Sequence, residues 1–99
     1  SFFNNIVAGV KKEDKFGFID TSGALITKME YDYAFIFSEG LAAVMKIGKW
    51  GFLNDKGEVK IDFKEYQEVS YFSEGYCPVK LNNRWGFLDK SGHIVIDCI

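Results

Sequence analysis

One short pattern runs through this chain three times, and any fold must accommodate all three copies in the same way. The stretch "KFGFIDTSG" (15–23) returns as "KWGFLNDKG" (49–57) and as "RWGFLDKSG" (84–92). The aromatic–Gly–Phe cores begin at Phe16, Trp50 and Trp85, 34 and 35 residues apart. A second signature, "FSEG", stands at 37–40 and 72–75, and a decayed form, "FNNI", at 3–6. Between the signatures lie "VAGV" (7–10), "LAAV" (41–44) and "YCPV" (76–79), and after each turn glycine comes "ALIT", "EVKI" or "HIVI". Tyr31 and Tyr66 recur in the joining segments. The chain thus divides into repeats 1–34, 35–69 and 70–99 of a single repeat domain.

Each copy reads as a three-stranded β-meander. In the second copy the strands are "LAAVMKI" (41–47), "WGFLN" (50–54) and "EVKIDF" (58–63), short alternating runs bounded by Gly, Asn and Asp. The first turns are "EDK" (13–15), "IGK" (47–49) and "NNR" (82–84), where Gly48 or the Asn82–Asn83 pair can supply the positive φ of a tight hairpin. The second turns, "DTSG", "NDKG" and "DKSG", suit a type I turn closed by a left-handed glycine. A joining segment such as "KEYQEVSYFSEG" (64–75) holds either a fourth short strand or an ordered loop. On the middle strand Trp50 and Phe52 face one way, Gly51 and Leu53 the other. Both faces are apolar, so each sheet should be covered on both sides, with the neighbouring repeat as the cover. The constant glycine should admit a close approach by a ring or backbone of the next unit. Pro78 cannot donate to a ladder, which places a sheet edge near residue 78.

By these residues, above all "FSEGLAAVMKIGKWGFLNDKGEVKI", the chain resembles the WG repeat, a bacterial module named for its Trp-Gly pair. The likeness covers all three copies, and the second fits best. The first has Phe16 for Trp and lacks the Ser-Glu-Gly turn; the third has Tyr76-Cys77 for Leu-Ala. Such departures suit terminal repeats relieved of some packing. The resemblance implies an all-β repeat array within larger bacterial proteins, cytoplasmic or exported. It implies no catalytic activity, no cofactor and no particular ligand.

Composition narrows the function classes. Twelve basic residues face fourteen acidic ones, and the three repeats carry net charges of −1, −1 and 0. "DKFGFID" (14–20) is similar to the RNA-stacking strand of cold-shock and RRM domains, but such binders concentrate Lys and Arg against phosphate. Here each copy is followed by a turn acid or amide (Asp20, Asn54-Asp55, Asp89), which would repel phosphate. Nucleic acid is therefore not an expected partner. Nor is a membrane, since no stretch approaches the ~18 apolar residues of a span. "SFFNNIVAGV" lacks the basic start and cleavage site of a signal peptide.

The chemistry-bearing residues read mostly as structure. His93 is the sole histidine and follows a turn glycine, so a solvated hairpin position is expected and no zinc site. Cys77 occupies the slot of Ala42 and Ala8, a small buried position. Cys98 lies on the third strand, ~10 Å across from the first by strand spacing, too far for a disulfide. Asp20, Asp55 and Asp89 offer one acid per turn, which fits turn formation and not calcium. Glu39-Gly40 and Glu74-Gly75 are expected to hold the "SEG" turns, each glutamate through a local hydrogen bond. Phe16, Trp50 and Trp85 are the contested set. They are either core or a ladder of platforms for sugar rings and cations, as in choline- and cell-wall-binding repeats, which the "W…D-x-x-G" hairpins superficially resemble. Burying ~150–250 Å² per aromatic at ~25 cal/mol per Å² offers at most about 4–6 kcal/mol each. That favours core.

The expected architecture is an all-β open array of three tandem ~35-residue meander repeats, with a closed, trefoil-like, pseudo-threefold body as the alternative. The expected function is a non-enzymatic protein-binding scaffold that uses its outer strands and "KEYQEVSY"-type loops. The rival is a carbohydrate- or cell-wall-binding module that uses Trp50 and Trp85. No acid–base pair or nucleophile set assembles for an enzyme. Exposed end strands make self-association through edges a further expectation.

Overall fold

Alternation produces the strands here, and two-residue turns decide how they pair. The structure, a computed structural model, describes residues 8–97, and those residues are all-β. In repeat 1, β1 (Ala8–Lys12) and β2 (Lys15–Ile19) form a hairpin. β3 (Tyr33–Ala34), from the last residues of repeat 1, joins β4 (Ala42–Lys46), β5 (Lys49–Leu53) and β6 (Val59–Lys64) of repeat 2 in an antiparallel sheet in that order. β7 (Glu68–Val69), from the last residues of repeat 2, joins β8 (Tyr76–Leu81), β9 (Arg84–Asp89) and β10 (Ile94–Asp97) of repeat 3 in its counterpart. The decayed "FNNI" copy and Cys98 lie outside the described residues.

All three first turns are two-residue loops with both central residues left-handed, the type I′ geometry that matches strand twist. Their φ values are 52° and 69° at Glu13-Asp14, 53° and 74° at Ile47-Gly48, and 53° and 66° at Asn82-Asn83. The "SEG" turns use the same device, with φ of 53° and 82° at Glu39-Gly40 and 52° and 86° at Glu74-Gly75. The joining segments contribute short strands and not loops alone. Tyr33–Ala34 pairs with Met45 and Val44, and Glu68–Val69 with Lys80 and Val79. The end of each joining segment therefore belongs to the sheet of the repeat that follows it. Because β7 reaches only Val79 and Lys80, the outer side of Pro78 carries no strand partner, as a residue without an N–H requires.

Two expectations need correction. Repeat 1 lacks the third strand of the meander: "ALIT" makes only an isolated bridge, Ile19 to Leu25. Thr27 stands in the register of Ile61, and its hydroxyl accepts the Phe18 N–H at 3.2 Å, a bond that a strand carbonyl would otherwise take. In the first two repeats the glycine of the aromatic–Gly pair, Gly17 or Gly51, is covered by its own repeat and not by the next one. A β-carbon on Gly51 would lie 2.9 Å from the Phe63 ring, and one on Gly17 would lie 2.6 Å from Met29 Sδ. Register shifts between β5 and β6 fold Phe63 back over the glycine.

The sheets stack in one direction. Phe18 and Tyr31 of repeat 1 pack on Ala42, Val44 and Leu53, one face of the second sheet. The other face of that sheet, with Leu41, Ala43, Phe52 and Ile61, packs on Tyr66, Val69, Phe72, Cys77, Val79 and Leu88. One core joins repeats 1 and 2 and a separate one joins repeats 2 and 3, so the chain is an open array of three repeats. Its dimensions, 43 × 32 × 15 Å, are those of a stack and not of a closed threefold body.

Candidate functional site

Four features compete for a functional role: the periodic aromatics, the "SEG" turns, the turn acids and the joining segments. Their geometries separate them.

Phe16 and Trp50 are partly buried. Tyr33 lies between them, edge-on to Phe16 at 5.5 Å and to Trp50 at 6.0 Å, and Phe35 closes on Trp50 at 5.3 Å. Lys11 sits over the Phe16 ring at 5.5 Å, within cation–π range. Trp85 is 39% exposed. Beside it is a cavity of about 440 Å³ lined by Val79, Leu81, Asn82, Arg84, Gly86 and Ile94. The three aromatics are thus not equivalent platforms.

The "SEG" glutamate does something the linear chain does not disclose. Expected to bond within its own turn, the Glu39 carboxylate instead accepts the N–H groups of Glu74 and Gly75, at 2.6 and 2.9 Å. Ser38 Oγ donates to the Phe72 carbonyl at 2.6 Å, and Lys90 lies 3.4 Å from Glu39. The Gly75 and Glu74 amides, with Lys90, hold the Glu39 carboxyl below the usual carboxylate range. One turn clasps the next.

Two of the three turn acids, Asp20 and Asp89, are occupied locally. Asp20 Oδ1 accepts Ser22 N and Ala24 N at 2.9 and 3.0 Å, and Asp89 Oδ1 accepts Ser91 N and His93 N at the same distances. The Ser22 and Ser91 hydroxyls also donate to these carboxylates and are the largest cause of their lowered pKa values. Asn54 makes the neutral version, accepting Lys56 N and Glu58 N at 2.9 Å each. These are Asx turns. His93 is exposed and its Nδ1 meets Ser91 Oγ at 2.9 Å. Among the described residues no three His, Cys, Asp or Glu side chains are placed to hold a metal ion. Cys77 is fully buried in the slot of Ala42, and that burial pushes its thiol up to about 11, away from reactivity.

The joining segments form the remaining feature. Tyr33, Ala34, Phe35 and Ile36 from one, and Val69, Ser70 and Tyr71 from the next, line an apolar groove of about 430 Å³. Ile36 is 75% exposed, Tyr71 54% and Tyr33 46%, a cluster of large apolar side chains facing water. Polar clamps hold its walls in place. Asp32 pairs with Lys15 and accepts Ile47 N at 3.1 Å, and Gln67 accepts Asn83 N while donating to Asn83 Oδ1 at 2.9 Å. Ile36 and Tyr71 were not singled out from the sequence, although the run "YAFIF" (33–37) carries the signal: five apolar or aromatic side chains in a row exceed what alternation can bury.

A family model described as the WG containing repeat matches the chain three times, over residues 16–50, 50–85 and 85–99. No curated protein and no solved structure matches it.

Proposed function

The chain belongs to the WG containing repeat family, and on that premise we propose that it works as a non-enzymatic scaffold that binds a protein partner. One observation carries the reading: the groove between joining segments, where Tyr33, Ile36 and Tyr71 expose apolar surface on walls braced by Asp32 and Gln67. Rigid, half-exposed aromatics beside a large aliphatic side chain suit an anchor pocket for an apolar side chain of a partner segment. The walls come from segments that differ between copies, "YDYAFI" (31–36) against "YQEVSY" (66–71), which agree only at the leading tyrosine. Variation there changes specificity without disturbing the strands that form the stack. The occupied turn acids and the buried thiol support a binding role over catalysis.

The test is selection of peptides from a displayed library on the intact chain, followed by titration against Ile36→Asp and Tyr71→Asp. Each variant should weaken a selected peptide at least about tenfold, as expected when an anchor pocket is charged. Peptides that bind both variants as well as the parent would overturn the reading. The second reading, carbohydrate binding, draws on Trp85 and its neighbours Asn82 and Arg84, an aromatic platform with polar groups at its side. Binding on a glycan array that Trp85→Ala abolishes and Ile36→Asp leaves intact would favour it.

A further inference from the structure

We infer that the partner is held as an added β-strand: an extended segment of another protein, apolar at alternate residues, that pairs with the free edge of β3 and drops those residues into the groove. The inference rests on the groove reading above and adds to it the conformation and the backbone contacts of the bound segment.

The edge is set for pairing. β3 is the outer strand of its sheet, and no described strand pairs with its far side. Ala34 stands opposite Val44, and the next pair is closed by the Phe35 N–H, which donates to the Ala43 carbonyl at 2.8 Å. Antiparallel bonds alternate along a strand, so the N–H and C=O of Ala34 point away from β4 and off the edge. Ala34 itself lines the groove. The start of the strand is fixed by Asp32, whose N–H donates to the Met45 carbonyl at 2.7 Å and whose carboxylate accepts the Ile47 N–H at 3.1 Å. An edge already held in its bound conformation loses little entropy when a strand pairs with it.

This edge also lacks the usual guards. β6 carries Lys60, Asp62 and Lys64, and β7 carries Glu68, 3.9 Å from Lys80. β3 and the residues that follow it, "YAFIF" (33–37), carry no charge and no proline. An uncharged, apolar edge is a template for pairing with another chain.

The groove continues an interface that the chain already makes. Phe35 and Val69 line it and also pack in the core between repeats 2 and 3, so a side chain entering it extends that core outward. Tyr33 and Phe35 lie on the Trp50 face of their sheet. Paired strands put opposite residues on the same face. The residue facing Ala34 therefore turns to the other face, and the residues before and after it enter the groove beside Tyr33, Phe35 and Tyr71. A helix satisfies its backbone internally and has nothing to offer Ala34, whereas an extended segment presents both an N–H and a C=O.

The probe is the tightest peptide from the displayed-library selection, titrated against the whole chain and its variants. Ala34→Pro removes the outward N–H, leaves the bonds to β4 in place and keeps Tyr33, Ile36 and Tyr71. It should retain the far-UV circular dichroism of the parent and weaken the peptide at least about tenfold. N-methylation along the peptide should weaken binding to a similar degree at alternate residues and be tolerated between them. That series decides the matter alone if Ala34→Pro fails to fold. A peptide that is lost on Ile36→Asp but indifferent to Ala34→Pro, with no alternation in its N-methyl series, keeps the groove and overturns the added strand. A selection that yields no peptide, or one indifferent to Ile36→Asp, overturns the groove reading and this inference with it. A parent that sediments as a dimer while Ala34→Pro is a monomer would give the edge to a second copy and overturn the assignment to a partner segment.

Discussion

Trp50 and Trp85 open the same motif on the same strand position, yet their surroundings differ. In repeat 2 the cross-strand row reads Tyr33, Met45, Trp50, with Phe35 closing over the indole. In repeat 3 the corresponding row reads Glu68, Lys80, Trp85, with Ser70 in the place of Phe35. The first row is a stack of apolar side chains; the second ends in an ion pair of 3.9 Å and leaves the indole 39% exposed. The next stacking layer compounds the difference. Phe52 is sealed by Phe72, while Phe87 has no corresponding aromatic among the described residues. Repetition in sequence thus yields repetition of strands and turns, and burial follows from what lies beside and above each copy.

The sharpest way to break this comparison is to delete the two phenylalanines in turn, at concentrations low enough to keep copies apart. Phe52→Ala should cost about 3–5 kcal/mol in urea denaturation, the range for a fully buried aromatic, and Phe87→Ala no more than about 1 kcal/mol. Equal losses would mean that the end repeat is packed as tightly as the central one. The tryptophans come next. Trp50→Ala should cost about 2–3 kcal/mol, reduced from the fully buried range by partial exposure. Acrylamide should quench the single tryptophan of Trp50→Phe (Trp85) far more readily than that of Trp85→Phe (Trp50).

Grafting the row sharpens the point. Glu68→Tyr with Ser70→Phe should lower the quenching of Trp85 and add about 1 kcal/mol, the worth of an aromatic pair. The first turns allow a smaller exchange. Ile47 holds a β-branched side chain at φ 53°, 83% exposed, where repeat 3 has Asn82. Ile47→Asn should therefore stabilise by about 1 kcal/mol and Asn82→Ile destabilise by as much, read as shifts in thermal midpoint.

The last prediction concerns acid. Glu39 has a lowered pKa when folded, so its contribution is present above the ordinary carboxylate range and is lost as pH falls through the folded value. Glu39→Gln should lower the thermal midpoint at neutral pH and reduce its decline on acidification. Glu74→Gln, at the matching position of the next turn, should leave the thermal midpoint at neutral pH unchanged. A parallel shift in both variants would mean that the clasp between turns contributes nothing of its own.

Much of the architecture could be read before any coordinates. The strands expected at 41–47, 50–54 and 58–63 lie at Ala42–Lys46, Lys49–Leu53 and Val59–Lys64. The Asx turns at Asp20, Asn54 and Asp89 follow from side chains that bond backbone two to four residues away. What escaped depends on distant neighbours. The partner of Glu39 lies 35 and 36 residues on, and local reasoning therefore assigned the carboxylate to its own turn. The groove of Tyr33, Ile36 and Tyr71 exists only where two joining segments lie side by side, and neither segment discloses it alone. Where repeat 1 lacks its third strand, the Phe18 N–H is taken by the Thr27 hydroxyl.

The amino-acid sequence by itself determined the number of repeats, their strands and hairpins and the membership of the chain in its family. Those properties depend on residues within a few positions of one another, and the three copies state them three times. Tertiary structure decided which faces of those strands are covered, which glutamate reaches the next turn and which aromatics remain in water. Burial is a property of stacked layers, and a residue's layer partner lies a whole repeat away along the chain. The same "WGF" therefore becomes core in the middle of the stack and open surface at its end.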